Sequence, residues 1–301
     1  MNTAVLVIGF NRPEHLERVL ERVREAAPPR VYVAIDGPRN DAEARNVDAC
    51  RDVARRIRWA PTELRLRDVN LGCQRGVIDA VTWMLYKEPA GIIVEDDSVP
   101  DLSFFHFCDE LLERYRDDGR VLAISGESRV PRQIAPSDTS YRFTYMGPAG
   151  AWATWRDRWS AFTTNRIDAS ARQTYGGLAA TRHGELLRRA HWVALSFANR
   201  TRVMDSWAYP FMISGIANGQ ATATPNVNLV ADHGIGGDAR HMQDADPLHQ
   251  DAGSLVLPLR HPNRVEVDER SERWSEDHEI GFGAERLLRH GSTFVRRLVG
   301  R

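Results

Sequence analysis

Two hydrophobic periods alternate along about the first 125 residues, and this alternation constrains the fold more than any other feature of the sequence. Short apolar runs typical of buried strands are followed by longer segments with apolar residues at helical spacing. The predicted strands are 4–10, 30–36, 62–68, 91–95 and 121–125, and the predicted helices are 13–26, 41–57, 70–86 and 101–117. This order predicts an α/β fold, a mostly parallel sheet flanked by helices on both faces.

The chain after the fifth predicted strand is less regular. It contains an aromatic-rich segment at 147–159, a Gly-rich loop within 231–241 and a polar, weakly patterned stretch at 242–277. No linker composition and no internal repeat separates it from the first part. We therefore predict two halves, residues 1–126 and 127–301, within one continuous domain.

Charge and cysteine content exclude several kinds of partner and site. The 40 Lys and Arg residues nearly balance the 41 Asp and Glu residues, so no nucleic-acid partner is predicted. The three cysteines, Cys50, Cys73 and Cys108, form no CxxC or Cys/His metal pattern. They are therefore interpreted as reduced packing residues of a cytoplasmic protein.

Two observations concern membranes and export. No apolar stretch approaches the roughly 20 residues of a membrane span, and the N-terminus lacks the basic flank and cleavage site of a signal peptide. We expect a soluble cytoplasmic protein. The C-terminal segment 285–301 would place apolar residues opposite arginines on a helix. That pattern predicts either docking on its own domain or peripheral contact with the inner face of the membrane.

The loops after the first four predicted strands carry most of the candidate site residues. In a parallel sheet, ligands bind beyond the carboxyl ends of the strands, so these loops are expected to meet at one edge. The first strand is followed by neither a GxGxxG nor a GxxxxGK[ST] pattern. The sequence therefore disfavours a dinucleotide-binding fold and a P-loop.

Glu95, Asp96 and Asp97 follow the fourth predicted strand directly. Adjacent carboxylates at a strand end repel one another unless a cation neutralises them or one is protonated. Mg²⁺ or Mn²⁺ typically takes one or two protein carboxylates and completes its shell with phosphate oxygens and water. The alternative is a solvated acidic turn at the N-terminus of the next helix. The setting at a sheet edge favours a metal and diphosphate site.

Four ordered stretches, 5–20, 31–39, 70–81 and 92–107, resemble the nucleotide-sugar half of GT-A glycosyltransferases. The resemblance is closest to bacterial proteins similar to N-acetylglucosaminyltransferase I, and it extends more loosely through 205–241. It implies a GT-A type Rossmann-like fold, with 1–126 binding the nucleotide sugar and 127–301 binding the acceptor. The implied activity is metal-dependent, inverting transfer of a sugar from a UDP-sugar to an acceptor hydroxyl. UDP-N-acetylglucosamine is one candidate donor.

The resemblance also implies roles for residues around the donor. Arg12 would contact the diphosphate, and Asp36 would accept a hydrogen bond from uracil N3–H. Gly72 and Arg75 fall where the third loop and its helix approach the donor. By sequence alone, Arg12 reads equally as an exposed first-turn arginine, Asp36 as an Asx-turn residue, and Arg75 as a solvated helix residue.

In the acidic motif, which matches the DXD motif of the family, the resemblance makes Asp97 the direct metal ligand. Glu95 and Asp96 would contact donor hydroxyls or metal-bound water. His233 or His241, in the Gly-rich loop, would complete the shell as a neutral imidazole. An ordinary surface loop is the competing interpretation of these two histidines.

Inverting transfer needs a base that takes the proton of the acceptor hydroxyl. The family places an acid beside a tryptophan, and Asp205 in the VMDSWAYPF stretch is the best match. The match is imperfect because Ser206 occupies the position directly before Trp207. Asp205 is therefore either the base or a helix cap. Glu127, after the fifth predicted strand, is the second candidate.

Four tryptophans form either an apolar wall for a sugar ring or part of the core: Trp152, Trp155, Trp159 and Trp207. Trp152 and Trp207 are the candidates for the wall.

Two further functions compete with sugar transfer. One is nucleotidyl transfer, which would need a more basic, Gly-rich first loop, and the other is non-catalytic binding of a nucleotide or carbohydrate. The acceptor is predicted only as a glycan, lipid-linked glycan or small molecule with a free hydroxyl.

Overall fold

A computed structural model describes residues 1–164, 192, 206–232, 248 and 250–280. Its strands are β1 (Val5–Gly9), β2 (Val31–Ile35), β3 (Thr62–Leu66), β4 (Ala90–Glu95), β5 (Ser98–Pro100), β6 (Val121–Ser125), β7 (Tyr141–Thr144), β8 (Ala151–Trp155), β9 (Ala221–Pro225) and β10 (Val230–Asp232). Its helices are α1 (Pro13–Ala26), α2 (Asp41–Arg55), α3 (Gly72–Lys87), α4 (Leu102–Arg114), α5 (Arg156–Thr164), α6 (Ala208–Ala217) and α7 (Glu269–Ser275). A π-helical turn, Glu276–Ile280, follows α7.

Eight of the strands form one mixed sheet in the order β3-β2-β1-β4-β8-β6-β9-β7. Strands β1 to β4 pair in parallel, and β9 is parallel to β6. Strand β8 runs antiparallel between β4 and β6, and β7 is antiparallel to β9. The predicted α/β fold with a mostly parallel sheet is confirmed, and the arrangement is consistent with a GT-A Rossmann-like fold.

The N-terminal elements form where the hydrophobic periods predict them. Strand β2 is buried along its whole length, as expected for a parallel strand covered by helices on both faces. Helix α1 starts at Pro13, whose fixed φ suits the first turn. It buries one stripe of residues: Leu16, Val19, Leu20 and Val23. Helix α2 begins after Asn40, whose side chain accepts a hydrogen bond from the Glu43 N–H.

Strands β5 and β8 are absent from the sequence-based prediction. With three residues, β5 is too short to show a period, and among the described strands it pairs with β10 alone. Strand β8 lies in the aromatic-rich segment and is fully buried, so its residues do not alternate between apolar and polar. Its register places Trp152 opposite Ile93 and Ala151 opposite Val94. The second half of the chain thus enters the middle of the sheet.

None of the described helices has both the length and the apolar composition of a membrane span. The predicted C-terminal helix, 285–301, lies outside the described residues.

Helix α7 contacts strand β7 through a buried glutamate. Glu272 is fully buried, and its Oε2 accepts hydrogen bonds from the Thr144 hydroxyl and the Tyr145 N–H. Its Oε1 has no hydrogen-bond partner among the described residues. Burial, with a smaller contribution from the nearby Glu276 carboxylate, raises the pKa of Glu272 to about 8, although the hydrogen bond from Thr144 lowers it.

This shift makes stability depend on pH. The folded chain holds a proton on Glu272 over a range in which the unfolded chain, with an ordinary pKa of 4.5, has lost it. Stability is therefore full below the unfolded pKa and falls as pH rises towards about 8. As pH rises, the unfolding free energy of Glu272→Gln should decline less steeply than that of the wild-type protein. We expect the two slopes to differ by up to about 1.4 kcal/mol per pH unit. Urea unfolding at a series of pH values measures it.

Glu269→Gln is the matched control, because Glu269 is exposed in the first turn of the same helix. The control should keep the wild-type slope. Equal slopes for Glu272→Gln and wild type would contradict the assignment.

Candidate active site

The carboxyl ends of β1, β2 and β4 open onto a cavity of about 460 Å³. We call it the nucleotide cavity. Its lining includes six of the predicted site residues: Arg12, Asp36, Gly72, Glu95, Asp96 and Asp97. Four strand-end loops that are distant in sequence therefore meet at one sheet edge, as the parallel pairing requires.

Arg12 joins the first loop to the acidic motif. Its Nη2 lies 3.0 Å from Asp96 Oδ1 and 3.0 Å from Asp97 Oδ2. Asp96 is buried, and its Oδ2 accepts a hydrogen bond from the Phe10 N–H at 3.1 Å. Asp97 differs from Asp96 because 27% of its side chain is exposed. Asp96 is thus held in the loop structure, while Asp97 faces the cavity.

The carboxylates at this edge interact with one another. Burial, followed by the charges of Asp97, Asp96 and Glu127, raises the pKa of Glu95 to about 8. Burial also raises the pKa of Asp96 to about 6, although Arg12 lowers it. These carboxylates therefore outnumber Arg12, the guanidinium that contacts Asp96 and Asp97, as the sequence led us to expect.

A hard divalent cation fits these residues. Carboxylate oxygens are the ligands that Mg²⁺ and Mn²⁺ prefer, and Asp97 presents one carboxylate at the cavity wall. Among the described residues, no group of three or more His, Cys, Asp or Glu side chains is arranged to hold a metal ion. Asp97 would hold the ion through its partly exposed carboxylate, which leaves room for donor oxygens to complete the shell.

Asp36 connects β2 to the start of α3. Its carboxylate accepts hydrogen bonds from the backbone N–H groups of Gly37, Leu71 and Gly72 at 2.9 to 3.2 Å. Gly72 has φ +79°, a conformation that favours glycine. Asp36 thus stabilises the helix N-terminus as well as lining the cavity. Its contact with uracil stays a prediction. Arg75 lies exposed on α3, outside the cavity lining.

Glu127 lies at the border of a second cavity of about 220 Å³, which it lines together with β7, α6 and α7 residues. The Glu127 carboxylate is close enough to Glu95 to raise the pKa of Glu95. Gly150 lies next to Glu127, directly before β8. It has φ +59°, and the residues before it form the loop that precedes β8. A Cβ at Gly150 would lie 2.4 Å from Glu127 Oε1 and 2.4 Å from Ser98 Oγ.

The structure places Trp152 and Trp207 in the core and corrects the hypothesis of a sugar-facing wall. Trp152 has no exposed surface and Trp207 is 3% exposed. The two rings stack on each other, with centroids 4.6 Å apart. Since neither ring presents a face to solvent, neither can pack on a sugar in this structure. The Trp207 indole instead hydrogen-bonds Glu95 and lowers the pKa of that carboxylate.

Three predicted residues, Asp205, His233 and His241, lie outside the described residues. Two of them directly adjoin a described residue in the sequence. Ser206, next to Asp205, accepts a hydrogen bond from the Gln74 side chain at 3.1 Å. Asp232, next to His233, pairs with Ser98 directly after the acidic motif. The roles of the three residues stay predictions.

Sequence reasoning did not identify Ser98 or Gly150 as site residues. Ser98 Oγ is 3.4 Å from Asp97 Oδ1, and its position depends on the short strand β5. Gly150 belongs to a GPAG stretch whose only signal was a turn. Its closeness to Glu127 arises from β8 lying between β4 and β6, which no local pattern reveals.

Comparison with known proteins gives distant structural likenesses. No family model matches the chain, and no curated protein matches it. One similar solved structure is the mannosyltransferase PcManGT from Pyrobaculum calidifontis in complex with GDP-Man and Mn²⁺. The two chains are 13% identical with a TM-score of 0.40, and the match covers 72% of this chain and 68% of that one. Another is HddC from Yersinia pseudotuberculosis, which is 9% identical with a TM-score of 0.33. That match covers 52% of this chain and 77% of HddC. At these values neither likeness assigns a family or an activity to this chain.

Gly150→Ala tests the border between the cavities. Both the positive φ and the crowding of Glu127 and Ser98 oppose a side chain there. Gly219→Ala is the matched control, because Gly219 has φ +68° and open space around its Cβ position. Each variant should lose about 1 kcal/mol from backbone strain. Gly150→Ala should lose roughly 1–3 kcal/mol more from overpacking. Equal losses in urea unfolding would contradict the packing described.

Proposed function

We propose that this chain is a metal-dependent glycosyltransferase that moves a sugar from a UDP-sugar to an acceptor hydroxyl with inversion. The observation that carries the proposal is the placement of Asp97. Its partly exposed carboxylate lies beside Arg12 at the edge of a cavity of about 460 Å³, within a cluster of carboxylates. The reaction type and the UDP preference come from the four sequence stretches that resemble GT-A enzymes.

The nucleotide cavity offers complementary groups for a nucleotide diphosphate. Its volume lies in the range of about 300–1,000 Å³ typical of small-molecule sites. The uracil would lie near Asp36, and the diphosphate near Arg12 and Asp97. A divalent ion bound by Asp97 would neutralise charge on the diphosphate leaving group. Arg12 contributes a fixed positive charge to the same edge, since its guanidinium is already oriented by Asp96.

Transfer forms one bond and breaks another. The acceptor oxygen bonds to the anomeric carbon, the bond from that carbon to the diphosphate breaks, and the nucleoside diphosphate departs with the electron pair. A carboxylate takes the acceptor proton. Asp205 is the base that the resemblance implies. Glu127 is a described carboxylate that supports this role, because it lines the second cavity and lies close enough to Glu95, in the nucleotide cavity, to raise the pKa of that carboxylate.

A thermal shift assay tests the donor and the metal together. We expect UDP with Mn²⁺ to raise the melting temperature more than GDP, CDP or dTDP with Mn²⁺, because ligands that bind only the folded state stabilise it. Asp97→Asn should abolish the Mn²⁺-dependent part of the shift. Asp68→Asn should behave as wild type, since Asp68 is an exposed acid after β3. If no nucleoside diphosphate gives a Mn²⁺-dependent shift, the proposed function is wrong.

Two substitutions distinguish the candidate bases. If Glu127 accepts the proton, Glu127→Gln should lower kcat for transfer by about 10²–10⁴-fold while keeping the UDP and Mn²⁺ shift. Asp205→Asn should then retain most of its activity. The reverse pattern would assign the base to Asp205. UDP release from UDP-glucose, UDP-galactose and UDP-N-acetylglucosamine, with and without added glycosides, provides the assay.

A further inference from the structure

The second cavity borders the candidate reaction centre through Glu127. It is formed by the loops after β6 and before β8, by α6, and by the end of α7 with its π-helical turn. Glu127, which lines the second cavity, also lies near Glu95, which lines the nucleotide cavity. Glu127 Oε1 and Ser98 Oγ both lie 2.4 Å from the position of a Cβ on Gly150, and Ser98 follows Asp97 directly. A ligand in the second cavity would therefore have Glu127 as an immediate neighbour.

The lining of this cavity is rich in hydroxyl groups. They belong to Ser125, Ser128, Thr144, Tyr209, Thr224 and Ser275. Ser125, Ser128 and Thr144 already hydrogen-bond within the protein. A hydroxyl both donates and accepts, however, so each can form a further hydrogen bond with the alternating hydroxyls of a sugar or polyol. Met146, Met212 and Ile280 add apolar surface. A sugar ring has the same mixed character, with hydroxyls at its edge and C–H groups on its faces.

Among the described residues of the lining, the charged side chains balance. Glu127 and Glu279 oppose Arg129 and Arg142. The Arg142 guanidinium is buried and donates to neutral oxygens, including Ser128 Oγ at 3.2 Å and Pro225 O at 2.9 Å. A balanced lining provides no net field that would select an ionised group.

The size of the cavity limits the ligand to one ring. At about 220 Å³ it is smaller than the roughly 300 Å³ at which cavities for drug-sized ligands begin. A lipid chain would also leave the hydroxyl and charged groups of the lining without hydrogen-bond partners, which costs free energy.

We propose that the second cavity binds one uncharged sugar ring of the acceptor and places a ring hydroxyl beside Glu127. This inference rests on the proposed function, because the ligand is an acceptor only if the chain transfers a sugar. Binding of the ring itself does not require turnover. The substrate class is thus a neutral glycoside. Anionic sugars and simple lipid alcohols are excluded from the cavity.

Saturation-transfer NMR with the full chain tests the ligand class directly. The probes are methyl β-glucoside, methyl β-galactoside and methyl α-mannoside, with methyl β-glucuronide as the anionic counterpart and 1-octanol as the lipid alcohol. At least one neutral glycoside should bind at least about fivefold more tightly than the glucuronide and octanol. Absence of binding by all three neutral glycosides would overturn the proposal, as would tighter binding of the glucuronide or octanol.

A matched pair on strand β9 locates the binding. Thr224 and Thr222 are both buried threonines of this strand, paired with Arg142 and Thr144, but only Thr224 lines the cavity. Thr224→Val should weaken glycoside binding about fivefold, the effect of one hydrogen bond. Thr222→Val should leave it unchanged. Equal affinities in the two variants would place the glycoside elsewhere.

Ala149→Phe provides a second variant that does not alter the sheet. Ala149 is exposed and lines the cavity, so a larger side chain there should narrow the entrance and weaken glycoside binding at least about fivefold. Unchanged binding in this variant would contradict the assignment. Failure of the proposed function is recognised separately. If neutral glycosides bind as described but no nucleoside diphosphate does, the sugar site stands and the transferase assignment falls.

Discussion

Arg12 contacts Asp96 and Asp97 at 3.0 Å each, and this pair of contacts determines what the sheet edge can do. Strand β4 lies between β1 and β8 and ends in three consecutive acids. Without an opposing charge, their mutual repulsion and burial would favour protonation. Arg12 compensates part of this charge and orients Asp97. Burial, followed by the charges of Asp97, Asp96 and Glu127, still raises the pKa of Glu95. A cation at this edge would reduce the repulsion between these carboxylates.

The antiparallel strand β8 connects the two sides of the candidate site. Because β8 lies directly beside β4, the loop before it reaches the acidic motif, and the Glu95 N–H donates to the Gly150 carbonyl at 2.8 Å. The Gly126 N–H in turn donates to Ala151 O at 2.8 Å, which places the loop after β6, and with it Glu127, beside the same segment. The insertion of β8 thus places Glu127, which lines the second cavity, near Glu95, which lines the nucleotide cavity.

Much of the fold and part of the site could be predicted from local patterns. Helix α1 begins and ends where its apolar stripe and Pro13 predict. Strands β1, β2, β3 and β6 lie within the predicted runs, and β4 begins one residue before its predicted run. The meeting of Arg12, Asp36, Gly72 and the acidic motif followed from the parallel topology alone. Trp152 and Trp207 were misjudged as candidates for a sugar wall, because an aromatic cluster in a sequence does not reveal whether its rings face solvent or each other.

The sequence by itself determined the strand and helix order, the acidic end of β4 and the placement of arginine and aspartate after neighbouring strands, since these depend on local periodicity and on the shared direction of parallel strands. Only the tertiary structure decided that Asp96 is buried while Asp97 is partly exposed, that Asp36 accepts three backbone N–H groups, and that Glu127 and Ser98 approach Gly150. These features depend on contacts between segments far apart in the chain. Such contacts are set by the packing of β8 into the sheet, which leaves no local pattern in the sequence.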